Sequence, residues 1–411
     1  MEAPSESGRY IGARVTIRRI PEDFRVEELS TEAFRASLAT DWSASHPFAA
    51  YTLEKTSLAT PDALAFIARE LRIPGDCVQA AGIKDRHAQT RQTITIDTAG
   101  LRGAAPTALR GALWSLRALG FARRRADSSL IEANRFSIVV RGLTKRASDE
   151  MERRATVLRE ADGDLLFVNY FGDQRFGSNR HHQGWVGRAL VDGDFESALR
   201  LAIGTPARKD SGPTRALTRA LANHWGDWET ALAHFGRLPE RGAVETLARG
   251  GTFKDAFAAL PRFTQQICVD AYQSHLWNGI ARAFARAIAE STAERAFEAD
   301  DPFGPLVFPR VGAFTPAVRG LRIPPPSAKA TMPACIAVLA DELLAAEGIE
   351  LARIRIPEVA FPSFGGDDRP FVVAARNWTM SPPRHDDFAG NSPANLARTV
   401  RFELPRGSYA T

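Results

Sequence analysis

The feature that most constrains this 411-residue chain lies at its very end. Residues 400–404, VRFEL, alternate strictly, putting Val400, Phe402 and Leu404 on one face of a strand. The stretch before it, from about residue 180 to 360, is helical in character. In YQSHLWNGIARAFARAIAE, for instance, Tyr272, Leu276, Ile280, Phe284 and Ile288 recur every four residues as a core-facing stripe. A strand cannot stand alone, so this one has two candidate homes. It either belongs to the helical region or completes a sheet begun near the N-terminus, which makes the helical region an insertion. The pattern favours the second, because the helical stretch offers few strands to pair with.

The N-terminal 165 or so residues supply those partners. QTITID sets Ile94 and Ile96 on one face and Thr93 and Thr95 on the other, as a half-buried strand would. NRFSIVV puts Asn134, Phe136, Ile138 and Val140 on one side. Before both, Thr60-Pro61 opens a helix carrying Leu64, Ile67, Ala68 and Leu71, and Pro74-Gly75 closes it. Residues 381–396, SPPRHDDFAGNSPANL, read as a polar loop.

A chain of this length buries a large core without cross-links, and 44% hydrophobic with 25% charged residues fits an ordinary soluble protein. Cys77, Cys268 and Cys335 are odd in number and far apart, which argues against disulfides and a zinc site and suits a reducing cytoplasm. MEAPSESGRY has no apolar leader segment, and the apolar stretch at Cys335–Ala340 meets Asp341 and Glu342 far short of a membrane span. A net charge of +5 hints at an acidic partner without deciding one. Lysine is scarce: six of the 53 basic residues, against 47 arginines.

One of those lysines sits in the most informative segment, AGIKDRHAQTRQ at 81–92, between the helix and the QTITID strand. Gly82 permits a tight path, and Lys84, Asp85, Arg86 and His87 then crowd four polar side chains together. A carboxylate between two cations stays ionised at neutral pH. It suits nucleophilic attack or charge pairing and is a poor general acid. A solvated charged turn is the competing interpretation of the residues alone.

The segment closely resembles the AGxKDRxAxTxQ signature of the TruD family of tRNA pseudouridine synthases, matching at Ala81, Gly82, Lys84, Asp85, Arg86, Ala88, Thr90 and Gln92. Further segments resemble the family in order. IPEDFRVEEL (20–29) supplies Phe24, with Arg18 six residues earlier and Glu28 at the family's glutamate position, Glu27 being adjacent. EANRFSIVVRG supplies Asn134 and Phe136, with Ala133 for the usual glycine. NYFGDQRFG (169–177) contains Arg175, AYQSHLWN (271–278) resembles a family helix, and the C-terminal LPRGSYAT carries Tyr409 where many members have phenylalanine.

The resemblance implies an α+β fold. Its pseudouridine-synthase catalytic domain, 1–165 with 371–411, has a mainly antiparallel mixed sheet and flanking helices, and a mostly helical TRUD domain is inserted at 166–370. It implies an isomerase that converts uridine to pseudouridine in tRNA, with uridine thirteen of the D-arm as target, and Asp85 as nucleophile. Phe24, Asn134, Phe136 and Tyr409 are then the substrate-binding residues, lining a pocket for a flipped base. Arg18, Lys84, Arg86, Glu28 and Arg175 are the supporting charges, Arg18 the first candidate to pair with Asp85 and Lys84 the second. Arg175 and its neighbours fit a scaffold role better than chemistry. Arg123-Arg124-Arg125 is either a phosphate contact or a solvated face.

The partner is then tRNA, without a membrane, metal or other cofactor, and the expected state is a monomer. Isomerisation breaks one bond to the ribose and makes another, with no redox step or activated donor. His181-His182 diverge as neighbours, and His385-Asp386-Asp387 has no spaced fourth ligand, so neither is read as a metal site. The alternatives are a family enzyme acting on other RNAs, a non-catalytic RNA-binding or RNA-folding protein, and an aspartate-dependent hydrolase. The last lacks a second carboxylate to activate water.

Overall fold

The computed structural model describes residues 15–179, 181–207, 212–234, 238–292, 296–357, 359–390 and 392–408. The chain forms two compact units, Met1–Leu166 with Ala374–Ala410, and Phe167–Val373.

The first unit is built on a sheet of β1 (Phe24–Ser30), β2 (Phe48–Thr56), β3 (Val78–Ala80), β4 (Gln89–Asp97), β5 (Ala108–Arg110), β6 (Trp114–Ala122) and β7 (Ile131–Leu143). β8 (Leu165–Val168), the return strand Val372–Met380, the short Arg384–His385 and the C-terminal strand Leu396–Pro405 complete it. The order along the sheet is β5-β6-β2-β4-β1-β7, then the C-terminal strand, the return strand and β8. The C-terminal strand therefore takes the second of its two homes, antiparallel beside β7 with Phe402 opposite Phe136 and Leu404 opposite Asn134. β1 runs parallel to β4, while β2 with β4 and β1 with β7 are antiparallel, which makes the sheet mixed and the fold α+β.

Helix α1 (Glu32–Ala36) is capped by Thr31, whose hydroxyl accepts from the Phe34 amide. Helix α2 (Thr60–Leu71) starts with Pro61 in its first turn and stops where Arg72 turns left-handed. Its Ala63, Ile67 and Ala68 pack onto Tyr51, Leu53, Ile94 and Ile96. The half-buried pattern expected for QTITID is corrected here: β4 is buried on both faces. On the face away from α2, Thr93 meets the Ser30 hydroxyl at 2.8 Å and Thr95 accepts from the Ala126 amide at 2.8 Å. Threonine, β-branched and able to satisfy its own hydroxyl, fits an interior strand where its polarity suggested solvent.

In the second unit the long helix Arg262–Ser291 buries all five residues of its expected stripe. It also buries Cys268, Trp277, Ala281 and Ala285, so more than one face is covered. The helices Val186–Val191 and Ala334–Ala346 pack against it. Gly279 makes one such approach possible, since a Cβ there would lie 2.9 Å from Leu343 Cδ2. Among the described residues, no helix is long and apolar enough to cross a membrane.

Candidate active site

The loop between β3 and β4 is tied down along its length. The Ala81 amide donates to Thr93 O at 3.1 Å, and Gln92 Nε2 donates to Gly82 O at 2.7 Å. The Lys84 amide donates to Thr60 Oγ1 at 3.0 Å, at the start of α2. Gly82 has a steric duty as well: a Cβ there would come within 2.9 Å of Ile131 Cδ1 and 3.3 Å of Glu28 Oε2. So AGIKDRHAQTRQ is a braced turn, although Arg86 and His87 within it are exposed.

Bracing separates the loop's charges. Asp85 Oδ2 meets Arg18 Nη2 at 3.0 Å, with the Asp85 side chain 35% exposed. Lys84, the second candidate for that pairing, is turned away. Its Nζ lies 2.8 Å from Glu28 Oε2 in a pair whose side chains are 8% and 0% exposed, and donates to Asn134 Oδ1 at 2.7 Å. Lys84 and Asp85 therefore take different partners although they are neighbours in the chain. The other Glu28 oxygen accepts from the Thr93 amide at 3.1 Å. An ammonium only donates, so Lys84 fixes the Asn134 amide with its oxygen inward and leaves the amide N–H groups for other acceptors. Of the two candidate glutamates, Glu28 faces this site. Glu27, one residue earlier, faces the other side of the sheet and pairs with Arg91 and Arg135, each at 3.0 Å.

The rings form a row. Phe24 meets Phe136 edge-on at 6.2 Å, Phe136 stacks on Phe402 at 5.3 Å, and Phe402 stacks on Trp378 at 5.4 Å. The Arg18 guanidinium lies 4.2 Å over the Phe24 ring, so one residue touches both the ring row and Asp85. Phe24 and Phe136 are 2% and 8% exposed, which makes them the packed floor of the site more than open platforms. Tyr409 lies outside the described residues.

The residue that sequence reasoning missed is Lys55. It is buried on β2, and its Nζ donates to Leu58 O at 2.7 Å, Asp85 O at 3.0 Å and Lys84 O at 3.3 Å. Burial pushes its ammonium down to about 8, with Asp85 opposing and Lys84 assisting the shift. A signal was present in FAAYTLEKT: alternation sets Lys55 on the same face as the core residues Tyr51 and Leu53.

Arg175, in the second unit, pairs with Asp270 at 2.9 Å. The conspicuous motifs there interlock as scaffold. The Asn278 amide bridges the Phe171 N–H and C=O, and Arg369 donates to Asn169 O at 2.8 Å while lying over the Phe171 ring. The basic run is largely committed locally, Arg124 to Asp127 and Arg125 to Asp97. Asp386 binds Arg141, which also grips Asp23, a buried network that gives this acidic loop residue a structural role. Among the described residues, no three His, Cys, Asp or Glu side chains are grouped to hold a metal.

The tRNA pseudouridine synthase D of Aquifex aeolicus is 32% identical over 267 residues, 64% of this chain and 65% of that protein. A Methanopyrus kandleri protein, named "Probable tRNA pseudouridine synthase D", is 30% identical over 93% of this chain and 88% of its own length. A crystal structure of a Methanosarcina mazei protein, named "Putative tRNA pseudouridine synthase D (TruD)", shares the fold, with a TM-score of 0.69 over 97% of this chain and 92% of that one at 22% identity. The sequence model for tRNA pseudouridine synthase D (TruD) matches residues 9–300, and with that match this chain belongs to the TruD family.

Proposed function

We propose that this chain isomerises uridine to pseudouridine in tRNA, acting on the uridine at position thirteen of the D-arm, with Asp85 as the nucleophile. The observation that carries the reading is a half-exposed carboxylate on a braced loop, held at 3.0 Å by Arg18 beside a row of rings. In the reaction the N1–C1′ bond of the nucleotide breaks and a C5–C1′ bond forms. C5 gives up a proton and N1 gains one, so composition is unchanged and no cofactor is called for. An ionised carboxylate that is already oriented shortens the path to attack. The uridine must leave its stack to reach it. Asn134, oriented by Lys84, then offers N–H donors to a base carbonyl, while Phe24 and Phe136 form the floor, and the resemblance to the family implies a substrate-binding role for Tyr409 as well. Arg86, exposed beside Asp85, is placed to meet a phosphate. A monomer in a reducing cytoplasm, with the Phe167–Val373 unit as the inserted TRUD domain, completes the proposal.

Asp85→Asn is close to isosteric but leaves no carboxylate to attack. It is expected to melt and bind tRNA like the parent while forming no pseudouridine at position thirteen. Turnover near the parent rate would sink the assignment. Product at other uridines in the parent enzyme would redirect it to a broader set of RNAs.

A further inference from the structure

We infer that Lys55 is a positioning residue for Asp85, holding the peptide that carries the carboxylate through the carbonyl oxygens of Leu58, Lys84 and Asp85. The inference rests on the reading of Asp85 as nucleophile. A buried ammonium is tolerated only when its N–H groups are satisfied. Here the satisfaction comes from main chain alone: one carbonyl leads into α2 and two belong to the Asp85 loop. The nucleophile is thereby gripped twice, by Arg18 at its carboxylate and by Lys55 at the carbonyl of the same residue. Thr60 binds the Lys84 amide from the start of α2, so Lys55 and Thr60 brace the one peptide segment from two elements.

The charges facing Lys55 come from the loop, Asp85 and Lys84, themselves engaged by Arg18 and Glu28. The residues opposite it on β4 and β6 are Thr90 and Trp114, which carry no charge. Val26 of β1, paired with Thr90, and Thr60 of α2 are likewise neutral. Protonated, Lys55 has three N–H donors for three carbonyls. Once deprotonated it keeps two donors and turns a lone pair on an oxygen, so the grip slackens as pH rises through about 8. The effect on stability has the opposite sign. The folded ammonium sits below its ordinary 10.5, so between about 8 and 10.5 the unfolded chain holds the extra proton. Stability from this group therefore rises with pH through that window. Rate and stability should part company there, which a purely structural lysine does not predict.

The test is single-turnover pseudouridine formation on a tRNA transcript between about pH 6.5 and 9.5, with melting and tRNA binding followed in parallel. The enzymes are the parent, Lys55→Met and Lys55→Arg, and ionisation of the substrate is common to all three. The parent rate is expected to fall through about pH 8 while the fold persists. Lys55→Met should be about ten- to a hundredfold slower at pH 7, as expected for a nucleophile displaced by a fraction of an ångström to an ångström. It should lack the fall near 8 and bind tRNA normally. Lys55→Arg, charged throughout, should recover part of the rate and show no fall near pH 8. A parent profile flat through pH 8 to 9 overturns the inference even if neither variant folds, as does Lys55→Met at the parent rate per folded molecule. Asp85→Asn separates the two claims. If it is active, the nucleophile reading fails. If it is inactive while Lys55→Met is fully active, Lys55 alone is misassigned.

Discussion

Glu27 and Glu28 are neighbours with the same side chain and opposite circumstances. Glu28 is wholly buried, bound to Lys84 and to the Thr93 amide. Glu27 stands on the other face of β1, 31% exposed, between Arg91 and Arg135 that are each 51% exposed. That face carries a groove of about 740 Å3 whose lining includes Arg25, Glu27, Arg91, Arg135 and Arg401, with Lys55 and Phe136 also at its wall, and leaves out Asp85. Counted by charged partners, Glu27 has the richer set, two against one. Weighed by environment it has the poorer, because water and salt screen exposed pairs and leave a buried pair at nearly full strength. Charge is therefore denser on the face where it is screened, and the Lys84–Glu28 pair, with fewer charges, is the desolvated one.

The sharpest way to break this comparison is to remove each glutamate. Glu28→Ala strands Lys84 in the interior with no counter-charge, a loss of about 3–5 kcal/mol in denaturant unfolding. Glu28→Ala with Lys84→Met should recover much of it, and a double variant no better than the single would show the pair is not coupled. The ring row comes next. Phe136→Leu keeps volume but gives up aromatic contacts with Phe24 and Phe402, about 0.5–1.5 kcal/mol of stability. It also removes a π-face, so single-turnover rate per folded enzyme should drop about tenfold. A melting loss with an unchanged rate would make the ring purely core. The smallest effect is expected from Glu27→Ala, where two exposed pairs are lost for about 1 kcal/mol or less, diminishing further in high salt. A loss equal to that of Glu28→Ala would erase the distinction between the faces.

How far the site was legible follows the same division. The segment around Asp85, the Asn134 and Phe136 strand and the pairing of Arg18 with Asp85 could be named in advance, because each rests on a motif or on alternation. Lys84 was the second candidate to pair with Asp85, and the structure pairs its ammonium with Glu28. Lys55 went unremarked because its significance lies in two carbonyls about thirty residues away, and main-chain acceptors have no sequence signature. Asp386 was read only as part of a polar loop, because its partner Arg141 lies 245 residues away in the chain.

By itself the sequence determined which segments are strands and helices and which residues share a face, because those periods come from local backbone geometry. It also named the family and the loop that carries Asp85, the proposed nucleophile. The tertiary structure decided which charges lose their water. Desolvation depends on which surfaces close over a side chain, and those surfaces are assembled from parts of the chain that local geometry does not connect: Arg18 with Asp85 across 67 residues, and the C-terminal strand with β7.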